Sequence, residues 1–375
     1  MARARSEKVT GEAAVMDFLR ARAASEKEQF QALKNRTAST SMAREHVFFD
    51  SLDGVLKDVF GKLKLPHAGY AAKKLQKKPM DRIVNLAISD THFHSMLDPR
   101  EVPLAYGPQE EARRLGKIIT DACEYKSQYR ANTECFLHIF GDIIEGCLHD
   151  PREAATMTEQ FGAATYYLIQ AIQALSAAFP KVSVRCVPGN HGRNKQRHKD
   201  RATSQKWDSF ENMIYQAVKF AVASLPNVTV EIPYTPYYTY KAFDKTGFVT
   251  HGDTVIDAGF PSETINIKKI RNQINEWNAG DATYDLFLVG HVHTGSIVHI
   301  PSGPVFMSNS CLVPPNGYAV SSGRSHTKCG QWLWESVPGH ISGDARFLDV
   351  NETHDKDKSF EKVIRPYHGF ESTLP

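Results

Sequence analysis

Apolar runs of strand length, each leading into a polar cluster, recur through the middle of the chain. IVNLAIS (83–89) runs into SDTH, ECFLHIF (134–140) into GD, and KVSVRCV (181–187) into PGNH. Runs this short and this apolar read as buried strands. Helical spacing follows each one, over 110–126, over the Ala-rich 153–179 and over 204–224. Strand and helix alternating in this way predict an α/β layered fold. Past Asn227 the pattern becomes strand-rich: VTVEI (228–232), YYTYKAF (237–243) and GFVTHGD (247–253). A helix fits 263–277, and YDLFLVGHVH (284–293) reads as a strand opening into a loop. SIVHI (296–300), PVFMSN (304–309) and QWLWES (331–336) complete what the pattern predicts as a second sheet packed on the first.

The flanks differ from this middle. Residues 1–80 read as mostly helical, with helices over 11–35 and 46–60. In the second, Val47, Phe48, Leu52, Val55, Leu56, Val59 and Phe60 recur at helical spacing. AAKKLQKKP (71–79) is a polar linker. From Asn351 the chain is polar and weakly patterned. The expected organisation is a basic helical N-terminal extension over 1–80, a catalytic-type domain over 81–350 and a polar C-terminal tail over 351–375.

Composition narrows the class. The 375 residues are 41% hydrophobic, which suits a globular chain with a sizeable core. No apolar run approaches membrane-helix length, and the N-terminus lacks the apolar stretch of a secretory signal. The six cysteines form no CxxC pair, so a disulfide framework is not expected and a reducing cytoplasm is. Net charge is only +3, yet residues 1–80 carry 16 Lys and Arg against 9 Asp and Glu.

The candidate chemistry sits at the strand ends. Asp90 and His92 follow the first run, Asp142 the second, and Asn190 and His191 the third. His251 ends a later strand, and His291 and His293 follow another. In open α/β sheets functional groups collect beyond the carboxyl ends of strands, so residues far apart in sequence converge there. The mixed oxygen and nitrogen donors suit Mn, Fe or Zn better than Ca or Mg alone. Gly141, Gly189, Gly252 and Gly290 stand beside the donors and allow sharp turns.

DTH (90–92), GDIIEG (141–146), GNHGR (189–193), HGD (251–253) and GHVH (290–293) together resemble the five ordered motifs of the calcineurin-like metallophosphoesterase superfamily. The motifs span over half the chain. The resemblance implies a two-sheet α/β/β/α sandwich and a dinuclear centre of divalent cations, Mn2+ ahead of Fe, Zn or Mg. It implies that Asp90, His92 and His293 hold one cation, that Asn190, His251 and His291 hold the other, and that Asp142 bridges them. Two cations about 3.5–4 Å apart would activate a water, and metal-bound hydroxide would attack phosphorus in line. His191 would protonate the leaving oxygen without ligating. Many relatives carry Asp where Glu145 stands; that position is expected outside the ligand set. Asp253 and Asp257 are candidate hydrogen-bond partners for the ligating imidazoles.

Several further residues are weighed here. His94 reads as a solvated loop residue and His138 as a core residue. His149 and His198 receive no role. GRNKQRHKDR (192–201) directly follows His191, and its Arg193, Lys195 and Arg197 are candidate ligands for phosphates flanking a scissile bond. Lys268, Lys269 and Arg271 form a second basic cluster, and Arg324 and Lys328 lie in a Gly/Ser-rich stretch. The GHxH ending resembles the branch with DNA-repair-type nucleases and small phosphodiesterases. The leading expectation is therefore a phosphodiesterase or nuclease with nucleic acid as its partner and no membrane. The alternatives are a phosphomonoesterase, a hydrolase of small nucleotides or lipid phosphates, and a non-catalytic scaffold. The N-terminal helices are a candidate surface for a protein partner.

Overall fold

The computed structural model describes residues 73–74, 80–97, 100, 102, 106–128, 132–146, 154–193, 206–254, 267–280, 283–316, 320, 328–351 and 363–369. The helices expected in residues 1–80 lie outside them, as do Lys195, Arg197, His149, His198, Asp257 and Arg324.

Four parallel strands form the heart of the first sheet: β1 (Arg82–Ile88), β2 (Thr133–Ile139), β3 (Lys181–Cys186) and β4 (Val228–Glu231). Three helices make the crossovers, α1 (Pro108–Ser127), α2 (Met157–Ala178) and α3 (Phe210–Ala221). Their starts are legible locally. Pro108 opens α1, where a missing N–H costs nothing. A capping box between Thr156 and Glu159 opens α2, and the Ser209 hydroxyl accepts the Asn212 N–H to open α3.

The second sheet has the order β5-β6-β7-β9-β8, from β5 (Tyr237–Ala242), β6 (Lys245–Thr250), β7 (Leu286–Val289), β8 (Ser296–His299) and β9 (Val305–Ser308). α4 (Ile267–Trp277) packs on its outer face. The chain then returns to the first sheet. β10 (Gly330–Val337) pairs antiparallel with β1, and β11 (His340–Asp349) pairs with β10. The segments around 228–231 and 331–336 thus belong to the first sheet, where the strand-rich pattern placed them in the second. β11 escaped prediction because only Ile341 and Leu348 of its side chains are buried.

Alternation along the strands builds three apolar layers. Val84, Leu86 and Ile88 of β1 face the helices, together with Leu137, Val182 and Val184. Ile83, Ala87, Phe136, Val249, Leu288 and Met307 fill the space between the sheets. Phe248, Phe287 and Phe306 meet Ile270 and Ile274 of α4. The result is the expected α/β/β/α sandwich. His138 lies in the middle layer as a core residue. Its Nδ1 is 2.8 Å from the Tyr238 hydroxyl, its Nε2 is 3.1 Å from Asn85 Oδ1, and its ring stacks on Trp334.

Part of the expected polar tail packs on the fold. Ile364 and Tyr367 are buried, Arg365 N–H donates to Gln170 Oε1 at 2.9 Å, and Tyr367 N–H donates to the Tyr167 hydroxyl at 3.1 Å.

Candidate metal centre

The carboxyl ends of β1, β2, β3, β6 and β7 open toward one another, and the donor side chains meet there. Asp90, His92 and His293 present ligand atoms all within 4.8 Å of one another; so do Asp142, His251 and His291. The two groups adjoin. His92 lies edge-on to His191 at 4.6 Å, and Asp142 Oδ2 lies 3.0 Å from His251 Nε2 and 3.9 Å from His191 Nε2. Asn190 Oδ1 is 3.1 Å from His251 Nε2. Every predicted ligand is therefore at one place.

The backbone is bent to bring them there. Asp90, His92, Asp142, His291 and His293 all have φ between 46° and 71°, as does His94 at 63°. A non-glycine residue in this left-handed region costs about 1–2 kcal/mol, and Asp and His are among the residues that tolerate it best. Close approach does the rest. A Cβ on Gly189 would collide with Asp142 Oδ1, and one on Gly141, itself at φ 94°, would collide with the backbone of Gly189.

Hydrogen bonds then aim each donor. Asp142 Oδ1 accepts the N–H groups of Asn190 and His191, both at 2.8 Å, so Oδ2 is the oxygen turned to the imidazoles. Asp90 Oδ1 accepts His291 N–H at 2.9 Å, and Oδ2 accepts the Ser89 hydroxyl at 2.5 Å. Ser89 is held in turn by the Asn309 amide, and Asn309 by Gln331, all fully buried. Glu145 Oε2 sits 2.8 Å from His92 Nδ1, which turns Nε2 of that ring toward His293. The carbonyl of Phe140 takes His251 Nδ1 at 2.9 Å, and the carbonyl of Glu145 takes His191 Nδ1 at 2.8 Å.

These partners differ in part from expectation. Asp253, a candidate partner for the ligating imidazoles, pairs instead with Lys206, and at 3.7 Å with Arg193, while the Phe140 carbonyl orients His251. His94 is buried against Glu111 and Tyr367 and is not a solvated loop residue, because its N–H donates to Glu111 Oε1 at 2.6 Å. Sequence reasoning missed Glu211. Its Oε1 accepts Ile143 N–H and its Oε2 accepts Gly189 N–H, both at 2.6 Å, locking the two loops that carry Asp142 and Asn190. Glu111 was missed for the same reason: a glutamate in a first helical turn looks like ordinary helix capping. Arg193 stands at the rim, about a third exposed, while Lys268, Lys269 and Arg271 are exposed on α4.

The electrostatics fit cations. Burial alone would raise the Asp142 carboxyl, but the imidazoles of His251 and His191 outweigh it and hold it well below the ordinary range. Burial likewise works against charge on His251, yet Asp142 beside it brings that imidazole up to about 10. Burial and then His251 push His291 down to about 4, leaving a neutral ring with a free lone pair. The two buried carboxylates thus need positive charge. Among the described residues, histidine supplies it to both Asp90 and Asp142. Divalent cations would supply that charge directly, and the imidazole-plus-carboxylate donor set suits them.

Two sheets in this topology, with five strand-end motifs converging on paired Asp/His clusters, match the two-sheet sandwich and the gathered donor set that the motif resemblance implies. No protein-family model and no curated protein sequence matches the chain. Solved structures do. A metallophosphoesterase from Sphaerobacter thermophilus is 15% identical over 79% of this chain and 96% of its own, at a TM-score of 0.33. A conserved protein from Streptococcus pneumoniae, described as a predicted phosphoesterase, is 12% identical over 72% of this chain and 99% of its own, at 0.29. Vps29 of Entamoeba histolytica, solved with zinc, has the same identity, coverage and TM-score. No helix among the described residues is long and apolar enough to cross a membrane.

Proposed function

We propose that this chain is a phosphoesterase dependent on two divalent cations, and that its substrate is a nucleic-acid phosphodiester. The observation that carries the first half is the pair of adjoining donor clusters around Asp142 Oδ2. Asp90, His92 and His293 would hold one cation, Asn190, His251 and His291 the other, and Asp142 would offer Oδ2 to both. Such cations, with Mn2+ ahead of Fe, Zn or Mg, activate a water and neutralise charge on the phosphoryl group when bound.

The chain's own residues supply the rest. His191 is the general acid: its Nδ1 is fixed on the Glu145 carbonyl, so Nε2 is the nitrogen left to face a phosphoryl or leaving oxygen. Asp253 steadies the Arg193 guanidinium at the rim, where it would take a phosphate flanking the scissile bond. Lys195 and Arg197, next in the basic run, would extend that contact. This basic flank supports the diester half of the reading.

A substrate panel tests both halves. With Mn2+ the protein is expected to cleave bis-p-nitrophenyl phosphate faster than p-nitrophenyl phosphate, and then to cut single- or double-stranded DNA. Asp142→Asn should abolish all of it. Monoester preference without DNA cleavage would sink the nucleic-acid half. Metal binding with no turnover on any substrate would instead make the chain a scaffold.

A further inference from the structure

Cys311 follows β9 and Cys329 precedes β10. Both are buried, and neither is bridged. Their thiols share one acceptor, the Val313 carbonyl, at 3.1 Å from Cys311 Sγ and 3.4 Å from Cys329 Sγ. Gly330 N–H donates to the Cys311 carbonyl at 2.9 Å, so the backbones are already tied beside the sulfurs. The buried Arg114 guanidinium donates to the Leu312 carbonyl, and its charge acts on Cys329.

The same two stretches hold the metal site. Leu312 N–H donates to the Asp90 carbonyl at 2.9 Å. The Ser310 hydroxyl lies 2.9 Å from the His293 carbonyl and 2.7 Å from that of Lys328. A movement of 310–312 against 328–330 therefore reaches Asp90 and His293 through one hydrogen bond each.

We propose that Cys311 and Cys329 form a redox modification site, which a hydroperoxide oxidises to a disulfide that loosens the hold of Asp90 and His293 on their cation. The second clause rests on the metal assignment made above; the first does not. The Cys329 thiolate attacks one peroxide oxygen, the O–O bond breaks, and hydroxide leaves to give a sulfenic acid. Cys311 sulfur then attacks Cys329 sulfur, the S–O bond breaks, and water leaves with the Cys311 proton. Two thiols and one hydrogen peroxide become one disulfide and two waters. Cys329 suits the first step. Cys311 beside it, and then the Arg114 guanidinium, bring its thiol down to about 7 against the effect of burial. Burial holds Cys123 up at about 12, and Cys135 and Cys186 well above the ordinary range. An S–S bond of about 2.05 Å, with its fixed Cβ–S–S–Cβ geometry, would hold the two stretches in a new mutual arrangement.

The test treats the full-length, Mn2+-loaded protein with hydrogen peroxide, maps its peptides without reductant, and titrates Mn2+ before and after. A linked Cys311–Cys329 peptide is expected, with Mn2+ affinity weakened roughly tenfold or more, as for lost partners of metal ligands, and restored by dithiothreitol. Cys329→Ser should keep its affinity through the same treatment. If that variant does not fold, the wild-type peptide map and the dithiothreitol reversal still decide. Absence of the linked peptide overturns the proposal, and so does a linked peptide with unchanged Mn2+ affinity. A protein that shows the link and the weakened binding but hydrolyses no phosphoester would overturn the proposed function and leave this site standing.

Discussion

Asp142 divides its work between its two oxygens. Oδ1 is occupied by the amides of Asn190 and His191, so the loop after β3 is fixed to the loop after β2 before any cation is considered. Oδ2 is left for the ligand cluster. His191 is fixed in a similar way, with Nδ1 committed to a carbonyl and Nε2 turned inward. His191→Ala should therefore retain both metals by elemental analysis and lose turnover by about 10²–10⁴-fold; metal loss in that variant would contradict its role as an acid outside the ligand set. The residues that gather at the site were legible in the sequence because they are Asp, His and Asn standing at strand ends. Ser89, Asn309 and Gln331, which aim Asp90, were not. Any buried polar network needs such residues, and their partners lie up to about 240 positions away.

The first turns of the helices serve the loops. Glu111 of α1 accepts His94 N–H, Gln160 of α2 accepts Gly146 N–H at 2.7 Å, and Glu211 of α3 accepts the amides of Ile143 and Gly189. Each helix thus clamps a ligand-bearing turn of its own sheet. Glu211 carries this at a cost, since burial and then the charge of Asp142 raise its carboxyl to about 7. Glu211→Ala orphans two buried amides, and urea unfolding of the metal-free protein should show a loss of about 2–4 kcal/mol; Glu211→Gln should recover part of it. An unchanged urea midpoint in the alanine variant would mean that the clamp contributes nothing. Strand positions were predicted within a few residues for β1 to β10 because their apolar runs are dense. Sheet membership was not, since pairing is decided by long-range packing: β4 and β10 carry patterns much like those of second-sheet strands.

At the scale of the whole molecule, the apolar layer between the sheets carries a polar bridge of Asn85, His138 and Tyr238. Burial, with Arg185 nearby, lowers the His138 imidazole from the ordinary 6.5 to about 3. Between these values the unfolded chain takes up a proton that the native one refuses. The associated stability is complete above pH 6.5 and is lost as pH falls toward 3, at up to about 1.4 kcal/mol per pH unit. Unfolding free energies measured from pH 6.5 to 4.5 should fall less steeply in His138→Gln than in the wild type, and equal slopes would refute the assignment. Strain is also a whole-molecule quantity. The six left-handed residues at the site, at about 1–2 kcal/mol each, amount to a sum on the scale of a domain's entire net stability. Cations that bind only the native chain offset that burden by mass action. On the proposed reading, the supply of divalent ions would set how much of this protein persists against unfolding and proteolysis as well as its activity.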